Sequence, residues 1–141
     1  MDQKETFHIG IEGGGTKTIG VLISSSGLKI AQTTQPGSNP WIAGYNESIK
    51  ILSTILTTLS EKLQNFEPKS SGDANINRVV ASAGLSMSGA GTDSMANKIQ
   101  KELTEKFLNI GKIEISFFKV GLFEKFFNFF KILNNISTKP H

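Results

Sequence analysis

The sequence predicts an α/β fold, a mixed sheet with the element order β-β-β-α-β-α-β. Three observations lead there. Short apolar runs with period-2 alternation fill the first third of the chain. The period then changes to three and four over Tyr45–Phe66. Beyond that helix, strand-like and helix-like segments alternate once more. Three strands joined by tight loops form an antiparallel meander, and strands that follow helices add in parallel.

Each element has its own signature. Residues 7–12, Phe-His-Ile-Gly-Ile-Glu, alternate apolar with small or polar side chains, as in a strand. Thr18-Ile19-Gly20-Val21-Leu22-Ile23 is β-branched and apolar, a second strand. Ser24 to Gly27 is a turn cluster, and Leu28 to Thr34 reads as the third strand, before Pro36 to Pro40 breaks the pattern. In the helix that follows, Ile49, Leu52, Ile55, Leu56, Leu59 and Leu63 make one buried stripe. Glu67 to Asn77 is a polar surface connection, and Arg78 to Gly84 is a small-residue strand covered on both faces. Asp93 to Leu108 is the second helix, with Met95, Ile99, Leu103 and Phe107 in phase, and Ile113 to Phe118 is the fifth strand.

The segment 121–141 does not continue this scheme. Seven of the ten phenylalanines fall between Phe117 and Phe130, and the apolar positions of Leu122 to Leu133 run nearly all the way round a helix. Residues 1–120 therefore read as one partial domain and 121–141 as a Phe-rich tail. The tail's A/T-codon-rich composition, in Phe, Lys, Asn and Ile, points to translation of an intron or a changed reading frame after about Val120. A membrane-surface or partner-binding helix is the other reading of it, but Glu124, Lys125 and Lys131 form no basic stripe opposite an apolar face.

Composition narrows the function classes. The 141 residues suffice for one modest core, and the net charge is only +3. Lysines are scattered singly with no exposed aromatics between them, which argues against nucleic acid as a partner. The absence of cysteine removes disulfides, thiolate nucleophiles and cysteine-based metal sites. His8 and His141, at opposite ends of the chain, make no metal pair. Met1 to Thr6 is too polar for a secretory signal, and no stretch approaches the roughly 18 apolar residues of a membrane span. The expected setting is cytosolic, with no membrane.

The strongest local motif is Glu12-Gly13-Gly14-Gly15-Thr16-Lys17-Thr18, between the first two strands. Consecutive glycines allow close backbone approach and dihedrals closed to other residues. Their amides, with the Thr16 and Thr18 hydroxyls and Lys17, can surround phosphate oxygens. Glu12, just before the loop, can support a magnesium ion directly or through water. A glycine-rich hairpin without a ligand is the bland alternative. A Walker A loop and a dinucleotide fingerprint both require a helix after the loop, and Thr16 also separates Gly15 from Lys17, so both fail here.

Ile11-Glu12-Gly13-Gly14-Gly15-Thr16-Lys17-Thr18 resembles the first phosphate motif of the actin-like sugar kinases, and Glu12 in place of the usual Asp is similar to the N-acetylglucosamine kinase branch. Gly37-Ser38-Asn39-Pro40-Trp41 resembles that branch's sugar-contacting loop. Gly84-Leu85-Ser86-Met87-Ser88-Gly89 resembles its strand-end motif, and the three occur in the family's order over roughly residues 7–118. The resemblance implies a ribonuclease H-like (actin-like ATPase) N-terminal domain, here incomplete. It also implies transfer of the ATP γ-phosphoryl group to the 6-hydroxyl of N-acetylglucosamine with Mg2+, in a family that can form homodimers. Gly13, Gly14, Gly15, Thr16, Lys17 and Thr18 would then bind ATP phosphates, and Glu12 the metal. Asn39 would contact the sugar and Trp41 would wall its pocket, unless Trp41 is simply a packed aromatic. Ser86 and Ser88 are expected to satisfy backbone groups at the strand end rather than touch substrate.

The chain departs from the family after the fifth strand. The family carries there an Asp that deprotonates the sugar hydroxyl, whereas this chain reads Ile115-Ser116-Phe117-Phe118-Lys119-Val120-Gly121, and its last aspartate is Asp93. No catalytic residue is assigned, and no turnover is expected of this chain alone. The alternative reading is a non-catalytic module that binds nucleotide or a protein partner.

Overall fold

Phe7, Ile9 and Ile11 alternate with His8, Gly10 and Glu12, and this alternation becomes the two sides of the central strand. The computed structural model describes residues 5–66, 78–87 and 92–117. Its strands are β1 (Phe7–Gly13), β2 (Lys17–Ser24), β3 (Lys29–Pro36), β4 (Val80–Met87) and β5 (Ile113–Phe117). Helix α1 (Pro40–Ala43) is one turn, α2 (Tyr45–Gln64) is long, and α3 (Asp93–Lys106) links β4 to β5.

The five strands lie in the order β3-β2-β1-β4-β5. β2 is antiparallel to both β1 and β3, while β4 runs parallel to β1 and β5 parallel to β4. This is the expected antiparallel meander with parallel additions.

Helix α2 forms because its apolar residues recur every three or four positions, and all six stripe residues named above are buried. It starts after Gly44, whose φ of 91° suits glycine, and lies across β2 at Gly20. A Cβ on Gly20 would sit 2.3 Å from Ile55 Cγ2, so only glycine admits this approach. Helix α3 is capped by the Thr92 side chain, which accepts from Met95 N at 3.1 Å. Ala96, Ile99 and Leu103 of α3 are buried, whereas Met95 and Phe107, expected in phase, are partly buried against the same core. One apolar cluster joins both helices to Ile9, Ile11, Ala83, Leu85, Met87 and Ile113. The core therefore lies on one face of the sheet. His8, Gly10, Glu12, Ser82, Gly84 and Ser86 belong to the other face.

Two elements differ from expectation. β4 extends to Met87, because its pairing with β1 continues from Gly10–Gly84 through Gly13–Met87. Glycine and serine look like a stop in isolation, yet ladder pairing carries them. The Pro36–Pro40 break leads into a helical turn, which Asn39 caps and whose first position Pro40 occupies. The 67–77 connection, Phe118, the Ser88-Gly89 half of the strand-end motif and the 121–141 tail lie outside the described residues. No helix among the described residues is long and apolar enough to cross a membrane.

Candidate functional site

The glycine motif is a tight hairpin between β1 and β2, closed by Gly14 N donating to Lys17 O at 2.9 Å. The chain continues into a strand, as the phosphate-hairpin reading requires. Of the two expected reasons for glycine here, one applies at Gly13. Among the described residues only Gly27 and Gly44 have positive φ, so Gly13, Gly14 and Gly15 use no left-handed backbone. Close approach is the cause. A Cβ on Gly13 would meet Ser38 Oγ at 2.6 Å, and one on Gly37 would meet Gly15 O at 2.1 Å.

The loop after β3 thus packs directly on the turn. Ser38 N donates to Gly14 O at 3.1 Å, and the Ser48 hydroxyl donates to Ser38 O at 2.6 Å. Thr18 Oγ1 donates to Pro36 O at 2.9 Å and lies 2.8 Å from Ser38 Oγ. Thr18 and Ser38 are both fully buried. This corrects the place given to Thr18 among the phosphate contacts: its hydroxyl points inward and fastens the hairpin to the loop. The alternation of Thr18, Gly20 and Leu22 on one side of β2 is the sequence signal that would have found it. Ser38, the residue that connects all three segments, has no comparable signal.

The remaining motif residues face outward. Thr16 and Lys17 are exposed, and no backbone hydrogen bond engages the amides of Gly15 or Thr16 among the described residues. Two amides, a hydroxyl and an ammonium group are thus presented to solvent at one turn. Asn39 is nearly buried, and its Oδ1 accepts from Trp41 N at 2.9 Å as the cap of α1. Only its NH2 group is left to donate to a ligand. Trp41 is 55% exposed and Ile42 72% exposed, so Trp41 is not a packed core aromatic. Ile42 Cδ1 comes within 3.4 Å of the Cβ position of Gly15, which places Ile42 against the turn. The structure therefore brings the glycine turn and the Asn39–Trp41 segment together.

Glu12 is exposed at the end of β1, with no ion pair among the described residues. No group of three or more His, Cys, Asp or Glu that could hold a metal ion occurs among them. A protein cage for a cation is thus absent there, while one carboxylate beside the glycine turn suits a magnesium ion that takes most of its ligands from a bound phosphate compound. The residues present fit such an ion. A groove of about 360 Å³ along α2, lined in part by Lys50, Ser53, Thr57 and Lys106, shares no residue with the turn.

No family model and no curated protein matches the chain. Among solved structures it is similar to a candidate N-acetylglucosamine kinase from Chromobacterium violaceum, at 17% identity and a TM-score of 0.49, over 79% of this chain and 35% of that one. The PPX-GPPA enzyme of Aquifex aeolicus is similar at 8% identity and a TM-score of 0.46, over 81% and 36%. A gluconate kinase from Lactobacillus acidophilus is similar at 17% identity and a TM-score of 0.41, over 74% and 23%. The chain spans about a third of the length of the first two and less of the third.

Proposed function

We propose that this chain forms one wall of an ATP–magnesium site in a cytosolic sugar kinase of the N-acetylglucosamine type. The observation that carries the reading is the latch between Ser38 and Gly14, because it fixes the phosphate-type turn and the Asn39–Trp41 loop as one unit. In phosphoryl transfer a protein acts mainly through positioning and charge stabilisation. The amides of Gly15 and Thr16, with the Thr16 hydroxyl, donate to phosphate oxygens, and Lys17 offsets their charge. Glu12 would hold the cation or one of its waters, and the cation would supply charge neutralisation. The Asn39 amide donates to a sugar hydroxyl, and the exposed Trp41 ring covers an apolar sugar face.

No aspartate follows Asp93, so none of the later residues takes the sugar hydroxyl proton in the family's manner. The chain by itself binds metal–nucleotide without turning it over. Calorimetric titration with ADP, with and without Mg2+, tests this beside a coupled phosphorylation assay with N-acetylglucosamine. The expected result is magnesium-dependent binding with no product. Absence of nucleotide binding overturns the site, and robust phosphorylation overturns the non-catalytic reading.

A further inference from the structure

On parallel strands β1 and β4, His8–Ser82, Gly10–Gly84 and Glu12–Ser86 are alternate register partners. His8 Nδ1 lies 2.7 Å from Ser82 Oγ, which shows that these pairs share a face. The intervening pairs, Ile9–Ala83 and Ile11–Leu85, point into the core. Glu12 and Ser86 therefore stand side by side on the face away from the core. They lie near the carboxyl ends of β1 and β4, the edge that carries the glycine turn and at which open α/β sheets bind ligands.

Ser86 is 0% exposed, yet its hydroxyl has no hydrogen-bond partner. A buried hydroxyl left unpaired costs stability. Ser53 and Ser60 are also without partners, but both lie on α2, where a carbonyl four residues earlier is near. A strand offers Ser86 no such local acceptor. Next to it, Gly84 leaves open space where a Cβ would be.

We propose that the Ser86 hydroxyl, beside the Glu12 carboxylate, is a second protein contact to the hydrated divalent cation of a metal–nucleotide bound at the glycine turn. This rests on the reading of that turn as a phosphate site. Magnesium gives up its waters reluctantly, so a neutral hydroxyl that accepts from a bound water suits it. The same hydroxyl can donate to the carboxylate and orient it, as outer-shell partners do at metal sites. Ser86 is thus a positioning residue for the cation.

The test titrates the full chain with Mn2+ and ADP, following free Mn2+ by electron paramagnetic resonance, and measures metal-free thermal unfolding in parallel. The variants are S86A, S86T and E12Q. S86A is expected to weaken Mn2+–ADP binding about tenfold. Because it removes an unpaired buried group, its metal-free Tm stays level or rises, and S86T restores affinity. Unchanged affinity in S86A, with E12Q weakened, overturns this proposal and leaves the turn's reading standing. Loss of affinity together with a lowered Tm and no rescue by S86T also overturns it, as a packing effect. If the unmodified chain binds no Mn2+–ADP, the underlying reading falls and this proposal with it.

Discussion

Ser38 donates its backbone N–H to the carbonyl oxygen of Gly14 at 3.1 Å, and the neighbouring Gly37 comes so close that its missing Cβ would lie 2.1 Å from Gly15 O. The turn between the first two strands is therefore shaped by a loop that follows the third.

Gly37→Ala forces these backbones apart. Overpacking of this kind costs typically about 1–3 kcal/mol, and no flexible side chain is present to yield. Urea unfolding is expected to show that loss, with weakened ADP binding in the fraction that stays folded. Unchanged stability would mean that the loop does not rest on the turn.

Thr16 and Thr18 are two residues apart, the first exposed and the second buried. Thr18→Val leaves the Pro36 carbonyl without its donor and is expected to destabilise by about 1–3 kcal/mol, with Mg2+–ADP affinity retained. Thr16→Ala removes an exposed hydroxyl and is expected to leave Tm within a degree or two while lowering affinity several-fold, by roughly 1 kcal/mol. Unfolding curves and calorimetry on the two variants separate scaffold from ligand contact.

Asn39→Asp keeps an oxygen to cap α1 but removes the amide donor. Its thermal stability should match that of the unaltered chain, while N-acetylglucosamine binding in the presence of Mg2+–ADP falls about tenfold, the effect of losing one hydrogen bond of roughly 1.4 kcal/mol. Equal sugar binding by both proteins would confine Asn39 to capping.

Tyr45 joins the two long helices, donating its hydroxyl to Glu102 Oε1 at 2.9 Å while the Lys98 ammonium lies 4.1 Å from its ring centre. Burial pushes the phenol up to about 12, and the Glu102 hydrogen bond and charge act in the same direction. Since the folded value exceeds the ordinary 10.0, this contribution to stability is complete below pH 10 and is lost as pH rises toward 12. Tyr45 is the sole tyrosine, so phenolate absorbance titrates it directly. A midpoint near 10 in the folded chain would contradict the contact, and Glu102→Gln is expected to lower the midpoint.

Much of the fold was legible because it is written in local periodicity. The stripe from Ile49 to Leu63 and the alternation from Phe7 to Glu12 each specify a buried side without reference to distant residues. β4 runs beyond Gly84, where the sequence pattern stops, because Ser86 is a poor strand former alone and is held by register with β1. At the site, the glycine turn and the Asn39–Trp41 segment were visible as motifs. Their joining through Ser38 was not, since a hydrogen bond between residues 14 and 38 leaves no periodic trace. Ser86 was expected to satisfy backbone groups and is instead unpartnered, a property that belongs to three-dimensional surroundings.

β1 is synthesised before the other four strands of its sheet and lies in the middle of them, with His8 reaching Ser82 across a sequence separation of 74. While the chain grows on the ribosome, β2 can cover one side of β1 at once, but the other side stays an open template until β4 emerges. An unpaired strand edge invites intermolecular pairing. Truncation before Val80 is therefore expected to leave one edge of β1 unpaired.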